Sequence, residues 1–264
     1  DSTFEFIFNV LDEVCELFDA PYLHMGGDEA PQNEWKSCEL CQRVIKENNL
    51  KNESELQGWF ENKILDYLKI KGKKLIAWND VLQANNLNTD DKNIVIQYWT
   101  PKRDAKAEEY VNNGGEAILS NHQSFYFDMT YAQIPLDQTY NYNAKDFGMN
   151  IDASSNVLGY EGEVWTEWIA DTEKLEMNIY PRLQALGEIC WTPNEKLDFD
   201  NFKSRLDTYK PIMRNMGINY AEDGVSLPQS KSQKAKILRK FFKGNPNLEV
   251  QINKELKEKK QNEN

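Results

Sequence analysis

The stretch His24-Met25-Gly26-Gly27-Asp28-Glu29 sets two carboxylates side by side directly after two glycines. Neighbouring residues that leave a strand point in different directions, so such a pair can divide its labour. One group can face a pocket floor while the other flanks a scissile bond as a proton donor. Glycines just ahead of them remove side-chain bulk and let a ligand approach the backbone. Taken alone, an Asp-Glu pair after glycines is more often a plain turn. The aromatics tip the balance. Trp78, Trp99 and Trp165 each fall at the C-terminal end of a predicted strand, and Tyr126 falls just beyond another. Rings at those positions line the mouth of a parallel barrel, where they form a concave apolar wall for the C–H faces of a sugar. Trp59 and Trp191 lie inside helical patterns and read as core. A metal-dependent hydrolase using His24, Asp28 and Glu29 as ligands is disfavoured, because His24 and His122 are the only two histidines. No metal and no other cofactor is therefore expected.

The elements that must hold these groups alternate in type. Phe6, Val10, Val14 and Leu17 recur at helical spacing over Phe4 to Phe18, and Tyr22 to Met25 reads as a short strand. A second amphipathic helix, with Leu56, Phe60, Ile64 and Leu68 on one face, runs from Glu53 to Ile70 and stops at Gly72. Strands follow at Lys74–Trp78 and Ile94–Trp99, one begins at Ala117–Ser120, and Val157–Gly159 leads the last. Helices are predicted over Asp104–Asn113, Tyr180–Trp191 and Phe202–Met213. Strand–helix units in series indicate an α/β fold with a parallel sheet. About five strands are counted, which best fits an eight-stranded (β/α)8 TIM barrel whose first strands precede Asp1. On that count the chain alone is expected neither to fold stably nor to act. An open doubly wound sheet is the runner-up. Residues 1–222 read as the catalytic barrel portion and residues 223–264 as a Lys-rich, flexible polar tail.

Composition narrows the partners. The chain has 264 residues, 40% hydrophobic and 12% aromatic, enough for a full core. A formal charge of −12 argues against nucleic acid and favours a neutral substrate. No apolar run approaches the roughly 18 residues that a membrane span requires. Cys38 and Cys41 have zinc-knuckle spacing without a second ligand pair, which leaves a local disulfide or two free thiols.

The motif and five further blocks resemble glycoside hydrolase family 20, whose signature His-x-Gly-Gly-Asp-Glu stands intact at His24–Glu29. The blocks are Leu75-Ile76-Ala77-Trp78-Asn79-Asp80, Gln97-Tyr98-Trp99, Phe125-Tyr126-Phe127-Asp128, Gly162-Glu163-Val164-Trp165-Thr166-Glu167 and Pro181-Arg182-Leu183. The resemblance implies an exo-acting β-N-acetylhexosaminidase that uses the substrate's own 2-acetamido group as nucleophile, an exception to the two-carboxylate scheme. Glu29 would be the acid and base, Asp28 would orient and stabilise the acetamido group, and Tyr126 would hydrogen-bond its oxygen. Trp78, Trp99 and Trp165 would enclose the sugar, Asp128 and Glu167 would bind its hydroxyls, and His24 would support the carboxylates. The implied partner is an oligosaccharide or glycoconjugate ending in β-N-acetylhexosamine, in a secreted, periplasmic or lysosomal setting. A non-catalytic sugar-binding relic or an inactive fragment is the alternative. Family members also supply a substrate-binding arginine from an early strand, which would precede Asp1. Tyr142 is the nearest candidate for a further aromatic that they carry between Asp128 and Trp165.

Overall fold

The computed structural model describes residues 2–102, 104–151 and 156–243. Five strands, β1 (Tyr22–His24), β2 (Lys74–Trp78), β3 (Ile94–Tyr98), β4 (Glu116–Leu119) and β5 (Val157–Tyr160), form one sheet in the order β1-β2-β3-β4-β5. Every pairing is parallel. A doubly wound sheet reverses its strand order at a switch point. No reversal occurs among the described residues, and the sheet is of the (β/α)8 type. The chain divides into two compact units, residues 1–121 with 143–161 and residues 122–142 with 162–264.

The first unit holds all five strands. β3 is buried along its whole length, as expected of a parallel strand covered on both faces. The helix Glu53–Ile70 has the bounds read from the sequence. Its Asn52 cap accepts from Glu55 N–H at 3.0 Å, and Ile64, Leu65 and Leu68 are buried. Burying each such side chain stabilises by about 1.5–3 kcal/mol. Gly58 lets this helix approach the following loop, because a Cβ there would lie 2.2 Å from Asn86 Oδ1. The helix Ser2–Leu17 packs on it by a different face from the one expected. Phe6, Val10 and Leu17 are exposed, whereas Phe4 meets Trp59 and Phe60 and Phe8 stacks on Tyr67 at 3.8 Å. Apolar residues lie all round this segment, so periodicity alone does not single out the face that finds aromatic partners.

The second unit is mainly helical. The helix expected over Tyr180–Trp191 is present as Arg182–Trp191, and a further helix, Thr172–Ile179, precedes it. Tyr180 precedes a proline and is extended, the conformation that a following proline favours. Trp191, read as core, is 90% exposed. The stretch expected to be a flexible tail contains a helix, Lys231–Phe242, opened by a capping box between Ser230 and Gln233. Its Phe241 and Phe242 rings pack on Trp168, and Lys174 Nζ lies 4.3 Å from the Phe241 ring centroid. These half-exposed rings hold the lysine-rich helix against Trp168. The remainder of the tail, residues 244–264, lies outside the described residues, as does Asp1.

Candidate active site

In the first unit the acid pair stands on a left-handed turn at the C-terminal end of β1. Gly26 and Gly27 have φ of 75° and 91°, and Glu29, unusually for a side-chain-bearing residue, has φ of 47°. A non-glycine residue in that region costs roughly 1–2 kcal/mol, a strain that recurs at functional sites. The turn is held from several sides. Met25 N–H donates to Ile76 O and Trp78 N–H to Gly26 O, each at 2.9 Å. Gln57 Nε2 donates to Gly27 O at 2.8 Å. Gly27 is required by space as well as by φ, since a Cβ would lie 2.4 Å from Val81 Cγ1. Asp28 and Glu29 themselves are exposed.

His24 accepts from Gly26 N–H through Nδ1 at 3.0 Å, which requires that nitrogen to be unprotonated. Desolvation holds its pKa below the usual imidazole range, against opposing contributions from a Gln97 hydrogen bond and the Asp28 charge. Its ring lies edge-on to Trp78 at 5.0 Å. His24 and Trp78 are thus in contact.

Asp80, to which sequence reasoning gave no role, ties Trp99 to the acid pair, and Asn79, likewise given none, holds the Trp99 backbone. Asp80 Oδ2 accepts from Trp99 Nε1 at 2.6 Å, while Oδ1 faces Glu29 N–H at 3.4 Å and Lys102 Nζ at 2.9 Å. Lys102 also lies 5.0 Å from the Trp99 ring centroid. Asn79, 1% exposed, accepts from Trp99 N–H at 3.0 Å and donates to Thr100 O at 2.9 Å. Both residues belong to the sequence block that ends Trp78-Asn79-Asp80. What the sequence lacks is any sign that polar side chains after β2 reach the end of β3.

In the second unit Tyr126 forms an isolated parallel bridge with Glu163, flanked by Glu163 N–H to Phe125 O and Phe127 N–H to Glu163 O. Trp165 is 42% exposed, and its ring centroid lies 6.2 Å from that of Tyr126. Asp128 is 2% exposed, and its Oδ1 has no hydrogen-bond partner among the described residues. Burial raises the Asp128 pKa, opposed by its own N–H, the Trp165 N–H and the Arg182 charge, while Glu167 pushes it further up. Tyr126, Asp128, Trp165 and Glu167 therefore share one neighbourhood. Tyr142 is buried against Phe125 at 4.6 Å, which places it in the core.

Arg182 organises this neighbourhood, and sequence reasoning assigned it no role either. Fully buried, it donates to Asn178 O at 2.9 Å, Phe127 O at 2.7 Å, Met129 O at 3.0 Å and Ile134 O at 3.3 Å. Its guanidinium carbon lies 4.1 Å from the Tyr131 ring centroid. The planar fork suits several carbonyls at once, which a lysine cannot match. Cys38 and Cys41 are free thiols; Cys38 caps the helix Glu39–Glu47 by accepting from Cys41 N–H at 3.4 Å.

A family model for the glycosyl hydrolase family 20 catalytic domain matches residues 1–194. A beta-hexosaminidase of Porphyromonas gingivalis is 34% identical over 242 residues, which are 87% of this chain and 30% of that protein. Beta-hexosaminidase subunit B1 of Dictyostelium discoideum is 30% identical over 78% of this chain and 36% of its own length. Among solved structures, an exo beta-N-acetylglucosaminidase from Vibrio harveyi, in complex with N-acetylglucosamine, superposes with a TM-score of 0.73. It is 30% identical, with 83% of this chain and 36% of that one covered. The beta-N-acetylhexosaminidase of Bacteroides fragilis gives 0.72 at 29% identity, over 84% and 46%. The chain spans 30% and 36% of the length of these two curated relatives.

Proposed function

The chain belongs to glycosyl hydrolase family 20, and from that premise we propose that the protein removes terminal β-linked GlcNAc or GalNAc from the non-reducing ends of glycans. The observation that carries this reading is the intact Asp28–Glu29 pair on its left-handed turn, tied through Asp80 to Trp99. A pure sugar binder has no use for a strained general acid. Glu29 gives its proton to the leaving glycosidic oxygen as the acetamido oxygen bonds to the anomeric carbon. The nucleophile belongs to the same molecule as the bond it attacks, which raises its effective concentration. Asp28 accepts from the acetamido N–H and balances the positive charge of the cyclic oxazolinium ion where that charge develops. Glu29, now a carboxylate, takes a proton from the water that reopens the ring, so the β configuration is retained.

The remaining groups serve binding. Tyr126 donates to the acetamido oxygen, and Trp78, Trp99 and Trp165 cover the apolar faces of the sugar and its N-acetyl group. Asp128, with its unpartnered Oδ1, and Glu167 accept from ring hydroxyls. His24 supports Asp28 and Glu29 through the backbone of their turn.

The test is Glu29→Gln in the intact protein. Loss of the acid should lower turnover of substrates with poor leaving groups by roughly a thousandfold or more, and of nitrophenyl glycosides far less. Equal losses on both would remove Glu29 from the acid role. A covalent sugar trapped on any carboxylate of the chain would defeat substrate assistance.

A further inference from the structure

One buried carboxyl that the proposed reaction does not use lies directly behind the acid pair. Glu61, on the helix Glu53–Ile70, is 3% exposed, and its Oε2 has no hydrogen-bond partner among the described residues. Its side chain is aimed at the glycine turn: a Cβ built on Gly27 would lie 3.0 Å from Glu61 Oε1. One helical turn earlier, Gln57 holds the Gly27 carbonyl. A single helix face therefore grips the Gly27 peptide with an amide and packs a carboxyl against its α-carbon.

Burying a carboxylate without a partner is costly, and the group stays protonated instead. The charged groups of the elements packed on Glu61 do not relieve this. The glycine turn continues into Asp28 and Glu29, and the Val81 turn carries Asp80, whose cation Lys102 is already paired with it. Burial alone accounts for the pKa of Glu61, raised to about 7.

We propose that Glu61 is a positioning residue for Asp28 and Glu29. As a neutral carboxyl it packs under Gly27 and holds the turn in its left-handed form. As a carboxylate, after losing its proton to solvent, it seeks water and displaces the turn. Activity then declines as Glu61 ionises, independently of any ionisation of Glu29 itself. This inference rests on Asp28 and Glu29 being the reacting pair.

The experiment compares the intact native protein with Glu61→Gln. The readouts are kcat/KM for an aryl β-N-acetylglucosaminide and, without substrate, the melting temperature, both from pH 5 to pH 9. Above its pKa a single ionisation lowers native kcat/KM by about tenfold per pH unit. The Gln variant should lack that limb, and its melting temperature should gain on the native value as pH rises to 7. Should Gln disrupt folding, Glu61→Met keeps the chain length without a charge. Superimposable pH profiles from active proteins, or melting curves with a constant offset, would overturn the positioning role alone. A native protein inactive at every pH would overturn the hydrolase reading, and this inference with it.

Discussion

The turn bearing Asp28 and Glu29 and the segment bearing Tyr126 and Asp128 solve the same problem by opposite means. In the first unit the acids stand exposed on two glycines and a left-handed glutamate, and neighbouring side chains grip the backbone beneath them. Gln57 donates to Gly27 O and Asp80 accepts from Glu29 N–H, one hydrogen bond each to that backbone. In the second unit Asp128 is buried, and one arginine, itself fully buried, binds four backbone carbonyls around it. On the proposed function, the pair that moves protons stands in solvent on a strained turn, and the group that binds hydroxyls is built into a core. Damage to the two supports should therefore show in different measurements.

The largest effect is expected from Arg182→Met. Four carbonyls lose their donor in a dry environment, so the intact protein should lose about 3–5 kcal/mol by urea denaturation. A loss under ~1 kcal/mol would mean that the second unit does not depend on this hub. Next comes a pH effect from Glu61. Its carboxyl ionises near 4.3 when unfolded but at about 7 when folded. Between those values the unfolded state binds fewer protons, so stability falls as pH rises and levels off above the folded pKa. The native protein should lose roughly 3 kcal/mol relative to Glu61→Gln across that window. Asp128, also raised by burial, adds a change of the same sign that Glu61→Gln leaves untouched. The smallest effect sharpens the contrast. Asp80→Asn should lower kcat/KM by about 10- to 30-fold by loosening Glu29 and Trp99, with little change in melting temperature. A large drop in melting temperature would show that Asp80 is a core residue like Arg182.

Much of the first unit is legible in the order of its residues. β2 and the helix Glu53–Ile70 have the bounds that periodicity assigns, because local spacing and Gly72 mark them. The glycines of the motif are legible as a turn for the same reason. The packing face of the helix Ser2–Leu17 is not, since Phe4 and Phe8 win through rings far along the chain, Trp59, Phe60 and Tyr67. Trp191 fails in the opposite sense: a helical pattern makes a face available without guaranteeing that anything covers it.

By itself the sequence determined that the sheet is parallel and which two carboxylates stand side by side after its first strand. Each of these is written in short-range pattern and residue type. Only the tertiary structure decided what holds those groups in place. Asp80 reaches both Glu29 and Trp99, Glu61 lies under Gly27, and Arg182 gathers the carbonyls of residues 127, 129, 134 and 178. The reason is physical: a buried polar side chain is defined by the partners that satisfy it or fail to. Most of those partners are distant in sequence, so no local pattern records them.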